Sequence, residues 1–385
     1  ERTRLIRDAT RKPDKRRIVN PPIERGTTLL NARARDLRDD RLGPTYGIDG
    51  LQAHEALRAA LAELEHADRV FLAPTGLTAV TCAILALADA GDDVLVTDSC
   101  YWPTRRFCTQ LLPRFGITVR YAPPRATAEE LMALCNGKTR LILMESPGTV
   151  TFEVQDVPAI AAAAGARGIR TLVDNTWAAG VFFKPLDHGV DVSVQALSKY
   201  VGGHSDVFAG SIAAKEPGVI RRVHQVIEDL GLYVSPDDAW LALRGLRTLH
   251  TRLPVHQQSA LKVAAWLEQQ PEVAKVLYPA LPSSPDHALW RRDFTGASGL
   301  MGVELAPGSR EAAEGFLDAL ELFGLGYSWG GYESLATYED PQLTRRLHAE
   351  PRQGPLVRLH IGLEGADDLI ADMRGGLDVY ASLRR

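Results

Sequence analysis

The chain has 385 residues, a formal net charge of −4 and 45% apolar residues, enough to bury a large core and a second, smaller one. A balanced charge without a long basic run excludes an electrostatic nucleic-acid footprint, and four cysteines (Cys82, Cys100, Cys108, Cys135) without CxxC spacing exclude a disulfide framework and a zinc site. The charged N-terminus lacks the apolar core of a signal peptide, and the longest apolar run, residues 79–88, is too short to span a bilayer, so the expectation is a soluble cytoplasmic protein.

Residues 1–50 are rich in Arg, Asp and Pro and show little periodicity. They read as an extended arm suited to packing on a neighbouring subunit, with residues 11–17 a solvated basic segment. From about Leu51 the text HEALRAALAELEHA repeats Leu and Ala at helical spacing. Short aliphatic or β-branched runs then alternate with Ala-rich helical ones. Residues 93–96, 140–144, 171–173 and 191–194 are the expected strands; residues 79–90 and 160–166 are expected helices. Such alternation predicts an α/β fold with a mainly parallel sheet covered by helices. A composition change at residues 244–253 marks the start of a smaller α+β domain. A long helix is expected to cross there and continue through SALKVAAWLEQQ. The expected division is an arm (1–50), a large domain (51–245) and a C-terminal domain (246–385).

In open α/β sheets, ligands bind beyond the carboxyl ends of the strands. Here DVLVTD leads into Ser99, Cys100 and Tyr101; RLILM into Glu145 and Ser146; TLV into Asp174; and DVSVQAL into Ser198 and Lys199. The carboxylate and the lysine are the informative pair. Chemistry on pyridoxal phosphate (PLP) needs a lysine amine to form a Schiff base, and an acid to keep the pyridine nitrogen protonated. Asp174 and Lys199 suit those two tasks, and Tyr101 offers a flat ring able to stack on the pyridine face. Pro74-Thr75-Gly76-Leu77 precedes an apolar helix, so backbone amides at Gly76 and Leu77, with the Ser198 hydroxyl, suit a phosphate. No GxGxxG or GxxxxGK[ST] occurs.

Two side chains have plain structural readings beside these. Tyr101 alone suits a half-buried core aromatic. Arg358, in the alternating run LVRLHIGLE, suits either an edge-strand ion pair or a bidentate clamp on an α-carboxylate. His204 and Asp206 match no common metal spacing, and no metal is expected.

The stretch VDNTWAAGVFFKPLDHGVDVSVQALSKYVGGHSD (residues 173–206) resembles the PLP-lysine region of the Cys/Met-metabolism (transsulfuration) enzymes. The resemblance runs from VNPPIERGTTLL through TYGIDG, FLAPTGLTAV, GDDVLVTDSCYWPT and LMESPGTVTFEVQDVPAI to VRLHIGLE. Within the family the chain is similar to bacterial cystathionine β-lyases: SWGGYES carries Trp329 where γ-lyases and γ-synthases usually have leucine. ESPGT lacks their asparagine, and DFTGASGLMGVEL follows the β-lyase pattern. The resemblance implies PLP fold type I, similar to aspartate aminotransferase, and usually a homotetramer built from two tight dimers. It implies α,β-elimination of L-cystathionine, an amino-acid thioether, to homocysteine, pyruvate and ammonia; other PLP carbon–sulfur lyases, γ-enzymes and a PLP-binding regulator are the alternatives. Lys199 would be the Schiff-base lysine, Asp174 the pyridinium partner and Tyr101 the stacking ring. Gly76, Leu77 and Ser198 would hold the phosphate, and Arg358 with Ser328 and Trp329 the substrate carboxylate. Tyr46 would reach a neighbouring subunit's site. One departure stands out: the family usually reads Tyr-Gly-Arg, with that arginine on the phosphate, whereas this chain reads Tyr46-Gly47-Ile48-Asp49. A charge-assisted hydrogen bond of this kind is worth about 1.5–3 kcal/mol, or about ten- to hundredfold in cofactor affinity.

Overall fold

In the computed structural model, which describes residues 1–6, 18–344 and 346–384, the expected strands assemble into one seven-stranded sheet. Its members are β1 (Arg69–Ala73), β2 (Asp93–Thr97), β3 (Thr118–Ala122), β4 (Thr139–Glu145), β5 (Arg170–Asp174), β6 (Val192–Ala196) and β7 (Gly210–Ala214), in the order β1-β7-β6-β5-β4-β2-β3. β6, β5, β4, β2 and β3 run parallel to one another, and β7 lies antiparallel between β1 and β6. The carboxyl ends of β1, β2, β4, β5 and β6 therefore face the same edge. Strands β2, β6 and β7 have almost no exposed residue, as a sheet with helices on both faces requires.

Helix Gly76–Leu87 shows how the sequence commits itself locally. The Thr75 hydroxyl accepts from the Thr78 amide and caps the first turn. Most of its residues, from Ala79 to Leu87, are buried, because the helix packs across β6 and β7. It starts three residues before the apolar run that marks it in the sequence, since the cap precedes the packing face. Ala-rich helix Val157–Gly165 likewise starts early, at an Asp156 cap followed by Pro158.

A second sheet follows: β8 (Val273–Leu277), β9 (Leu300–Leu305), β10 (Gly324–Leu325), β11 (Leu335–Tyr338) and β12 (Leu356–His360), in the order β10-β11-β12-β9-β8. Arg358 thus lies on an interior strand, flanked by Thr337 and Gly302, and the edge-strand reading of it fails. The expected long crossing helix is two helices, Pro236–Leu246 and Leu249–Leu267, broken at Arg247-Thr248. At the break the Arg252 guanidinium donates to the Gly245 and Val201 carbonyls.

Among the described residues of the first fifty, short helical turns at Arg2–Ile6, Ala34–Arg38, Asp40–Leu42 and Gly47–Asp49 alternate with irregular chain. They are tied to the chain's own body. Arg25 pairs with Asp237, the Trp240 indole donates to the Pro21 carbonyl, and Glu1 pairs with Lys184. The basic segment 11–17 lies outside the described residues.

Candidate active site

Adjacent β4 and β5 end in register at Glu145 and Asp174. Asp174 is held by the next turn: the Thr176 amide (3.1 Å) and hydroxyl (2.5 Å) both donate to its Oδ1. The Thr176 hydroxyl in turn accepts from the Ala196 amide at the end of β6, fixing β5 against the segment that carries Lys199. Burial pushes the Asp174 carboxyl up, and the Thr176 bonds oppose this. A cation placed beside it would restore its charge. Burial and the neighbouring Asp174 hold Glu145 well above the usual carboxylate range, and Glu145 accepts the Tyr101 amide (2.6 Å). That bond aims the start of helix Trp102–Gln110, and Tyr101 stands 45% exposed at its cap, so the core-aromatic reading of Tyr101 does not hold.

Lys199 follows β6 after one tight turn, its amide bonded to the Ala196 carbonyl. Its Nζ donates to the Ser328 hydroxyl (2.6 Å) and lies 5.3 Å from the centroid of the Trp329 ring. Burial and then the nearby Arg358 charge push the ammonium down to about 8, with Asp174 pulling the other way. An amine so placed loses its proton within reach of neutral pH.

Arg358 is nearly buried. Its Nε lies 3.4 Å from the Glu339 carboxylate, and its Nη2 donates to the Ser328 carbonyl (3.3 Å). Glu339 is itself fully buried and bonded by the Thr337 hydroxyl. The ion pair of the structural reading therefore exists, and it holds the guanidinium beside the Lys199 cluster. Ser328 carries φ 89°, a conformation that costs a non-glycine residue about 1–3 kcal/mol.

The start of helix Gly76–Leu87 lies against the end of β6. A Cβ on Gly76 would come within 2.4 Å of the Ala196 Cβ, and one on Gly210 within 2.4 Å of the Thr75 carbonyl oxygen. Only glycine lets the helix start sit this close to β6 and β7, with its first amides free of helical partners. Ser198 stands at the same place, half-buried.

The structure thus gathers Asp174, Lys199, Tyr101, Arg358, Ser328 and Trp329, while Gly76 and Leu77 open the helix that abuts Ala196, two residues before Ser198. Tyr46 is not among them: it is half-exposed on the arm, bridged to Thr28, and its amide donates to Asp49. Ile48 is 42% exposed. The Asp49 carboxylate is turned onto the Thr45 and Tyr46 amides (3.2 and 3.1 Å), and Arg58 donates to the Asp49 carbonyl. Sequence reasoning missed Thr176, Glu339 and His360. Asp-x-Thr is an Asx-turn signal and could have found the first; the other two have no local signal.

Residues 2–378 match the model of the family described as "Cys/Met metabolism PLP-dependent enzyme". The chain belongs to that family. It is 46% identical over 366 residues to a putative cystathionine β-lyase of Rhizobium johnstonii, covering 93% of this chain and 91% of that one. It is 41% identical over 372 residues to the cystathionine β-lyase MetC of Escherichia coli, covering 93% of each. The crystal structure of cystathionine γ-synthase from Xanthomonas oryzae in complex with cystathionine superposes with a TM-score of 0.90 at 31% identity, covering 99% of this chain and 98% of that one. The fold is that of the type I PLP enzymes, and PLP is the cofactor of the family. The residues present fit it: a depressed lysine amine, a buried carboxylate held in place, and a helix start that a Cβ would block. Among the described residues no helix is long and apolar enough to cross a membrane.

Proposed function

We propose that the protein catalyses α,β-elimination of L-cystathionine, with water consumed, to homocysteine, pyruvate and ammonia. The observation that carries the reading is the Lys199 amine, set 2.6 Å from Ser328 Oγ beside Trp329 and the Glu339-held Arg358. The 41–46% identity to cystathionine β-lyases supports it.

When bound, PLP supplies an aldehyde that takes up an amine and a ring that stores the electron pair left at the substrate Cα. The chain's own residues do the rest. Gly76 and Leu77 amides with Ser198 would hold the phosphate, Asp174 would set its charge against the pyridine nitrogen, and Tyr101 would offer its ring to the pyridine face. Arg358 accepts the α-carboxylate in its planar fork, which fixes the Cα–H bond in direction. Lys199, as the free amine, removes that proton. The Cβ–S bond then breaks with its electron pair on sulfur, and the proton balance closes when Lys199 returns its proton to the leaving thiolate. Ser328 keeps Nζ in place through both transfers.

Residues 1–50, 51–245 and 246–385 are read as an arm, a PLP-binding domain and a C-terminal domain, a division that the two separate sheets support. The arm leaves Leu30, Leu37, Leu42, Tyr46 and Ile48 exposed, an apolar set that a neighbouring subunit would cover. A homotetramer of two tight dimers in a reducing cytosol, with Tyr46 reaching across, is the assembly we infer; four free cysteines suit that compartment.

Product identification with purified, PLP-supplemented protein and L-cystathionine is the test. Pyruvate with homocysteine is expected. Cysteine with 2-oxobutyrate would mean γ-chemistry and sink the β-lyase reading.

A further inference from the structure

Arg358 and His360 alternate on β12 with Leu359 between them, so both side chains leave the same face of the strand. Each grips one end of the turn formed by residues 328–331. Arg358 donates to the Ser328 carbonyl at 3.3 Å. His360 Nε2 lies 3.1 Å from the Gly330 amide nitrogen and 3.0 Å from the Gly331 carbonyl oxygen, and in the neutral ring it accepts from the first or donates to the second according to tautomer.

The turn needs such a grip. Ser328 and Gly330 both have positive φ, 89° and 87°. Gly330 presses on the backbone that carries the lysine: a Cβ there would lie 2.7 Å from the Tyr200 amide nitrogen and 3.0 Å from the Lys199 Cα. Two residues before it, Ser328 Oγ accepts from Lys199 Nζ.

His360 is fully buried, packed against Tyr200 (5.9 Å between ring centroids) and His256 (5.4 Å), and its Nδ1 has no hydrogen-bond partner among the described residues. A buried ring nitrogen without a partner is costly, so packing alone would favour an aliphatic side chain here. Burial, then the adjacent His256, holds the imidazolium down to about 3, so the ring is neutral and adds no charge behind Lys199.

We propose that His360 is a positioning residue: it holds the Gly330-Gly331 turn against the Lys199-Tyr200 backbone and so sets the Ser328 hydroxyl on the Lys199 amine. The proposal rests on Lys199 being the acting base.

A double-mutant cycle on the holoenzyme tests it, using His360→Leu, Ser328→Ala and the pair, with His360→Gln as the conservative variant. The readouts are kcat and KM, the pH midpoint of the visible absorbance band of PLP bound to Lys199, and PLP affinity. For His360→Leu we expect kcat to fall about tenfold with KM within about twofold, the band midpoint to move as it does in Ser328→Ala, and PLP affinity to hold, the loss expected when one hydrogen bond is removed. The pair should be no worse than Ser328→Ala alone, and His360→Gln should recover most of the loss. Full multiplication of the two effects, or an unmoved band midpoint in His360→Leu, would overturn the proposal. Should His360→Leu fail to fold, Gly330→Ala takes its place in the cycle, since its Cβ pushes the same turn off Lys199. Absence of cystathionine turnover in the unaltered protein would count against the assigned reaction only, because the band midpoint reads the coupling without a substrate.

Discussion

Lys199 Nζ and Ser328 Oγ lie 2.6 Å apart although 129 residues separate them in the chain. One stands after β6 of the large sheet, the other on a loop before β11 of the small sheet. The amine that acts is therefore tuned from both halves of the molecule: one half buries it, and the other supplies the hydroxyl that holds it and the Arg358 charge that weakens its hold on a proton.

Lys199→Ala should abolish pyruvate release. General-base catalysis contributes about 10²–10⁴-fold, and loss of the anchoring amine adds to that. The visible absorbance band of bound PLP should vanish with it, while the far-UV spectrum stays as in the unaltered protein. Retained turnover would remove Lys199 from the mechanism.

Acid should silence the Lys199 amine. Protonation of a group whose folded pKa is about 8 removes the base, so in the cofactor-free protein the rate of PLP capture should fall as pH drops through about 8. The stability consequence has the same sense as that of a paired carboxylate, because the folded pKa is again the lower one. The unfolded lysine titrates near 10.5 and the folded one near 8, so between these values the unfolded state binds more protons and stability rises with pH. Urea midpoints of the apo-protein measured across pH 8 to 10.5 should climb for the unaltered chain and climb less for Lys199→Met.

Gly76→Ala adds a Cβ 2.4 Å from the Ala196 Cβ, and both backbones would have to part. With the helix start proposed as the phosphate cradle, PLP affinity should drop at least tenfold, more than thermal stability alone would suggest. A fluorescence titration of apo-protein with PLP reads this directly; unchanged affinity would place the phosphate elsewhere.

Ile48→Arg restores the basic residue that the family usually carries at this position. Asp49 is already engaged with the Thr45 and Tyr46 amides, so the new side chain meets no carboxylate at its own neighbour. PLP should bind about ten- to hundredfold more tightly, the equivalent of one charge-assisted hydrogen bond. Equal affinities in the two proteins would show that Arg58, which donates to the Asp49 carbonyl, or another cation already fills the role.

Arg358→Lys keeps the charge and loses the fork that Glu339 orients. KM for an amino-acid thioether should rise about tenfold or more with a smaller change in kcat, because the α-carboxylate is bound before and during proton removal. A change in kcat alone would argue that Arg358 serves packing.

The amino-acid sequence by itself determined the parts whose signal is local. Lys199 and Asp174 stand at the ends of aliphatic runs, and a buried parallel strand must be such a run. Gly76 stands where a strand meets a capped apolar helix. The shared ends of β2, β4, β5 and β6 followed from the alternation of strands and helices, so these four strands were legible without coordinates, while β1, β3 and the antiparallel β7 were not. Tertiary structure alone decided the rest. Arg358 is both an ion pair and a site residue because Glu339 sits across an interior strand. The Ser328 turn is fixed by His360 on a strand 30 residues away. These contacts join segments that are distant in the chain and carry no period or spacing of their own. They exist only when two sheets pack and leave buried polar atoms that must find partners.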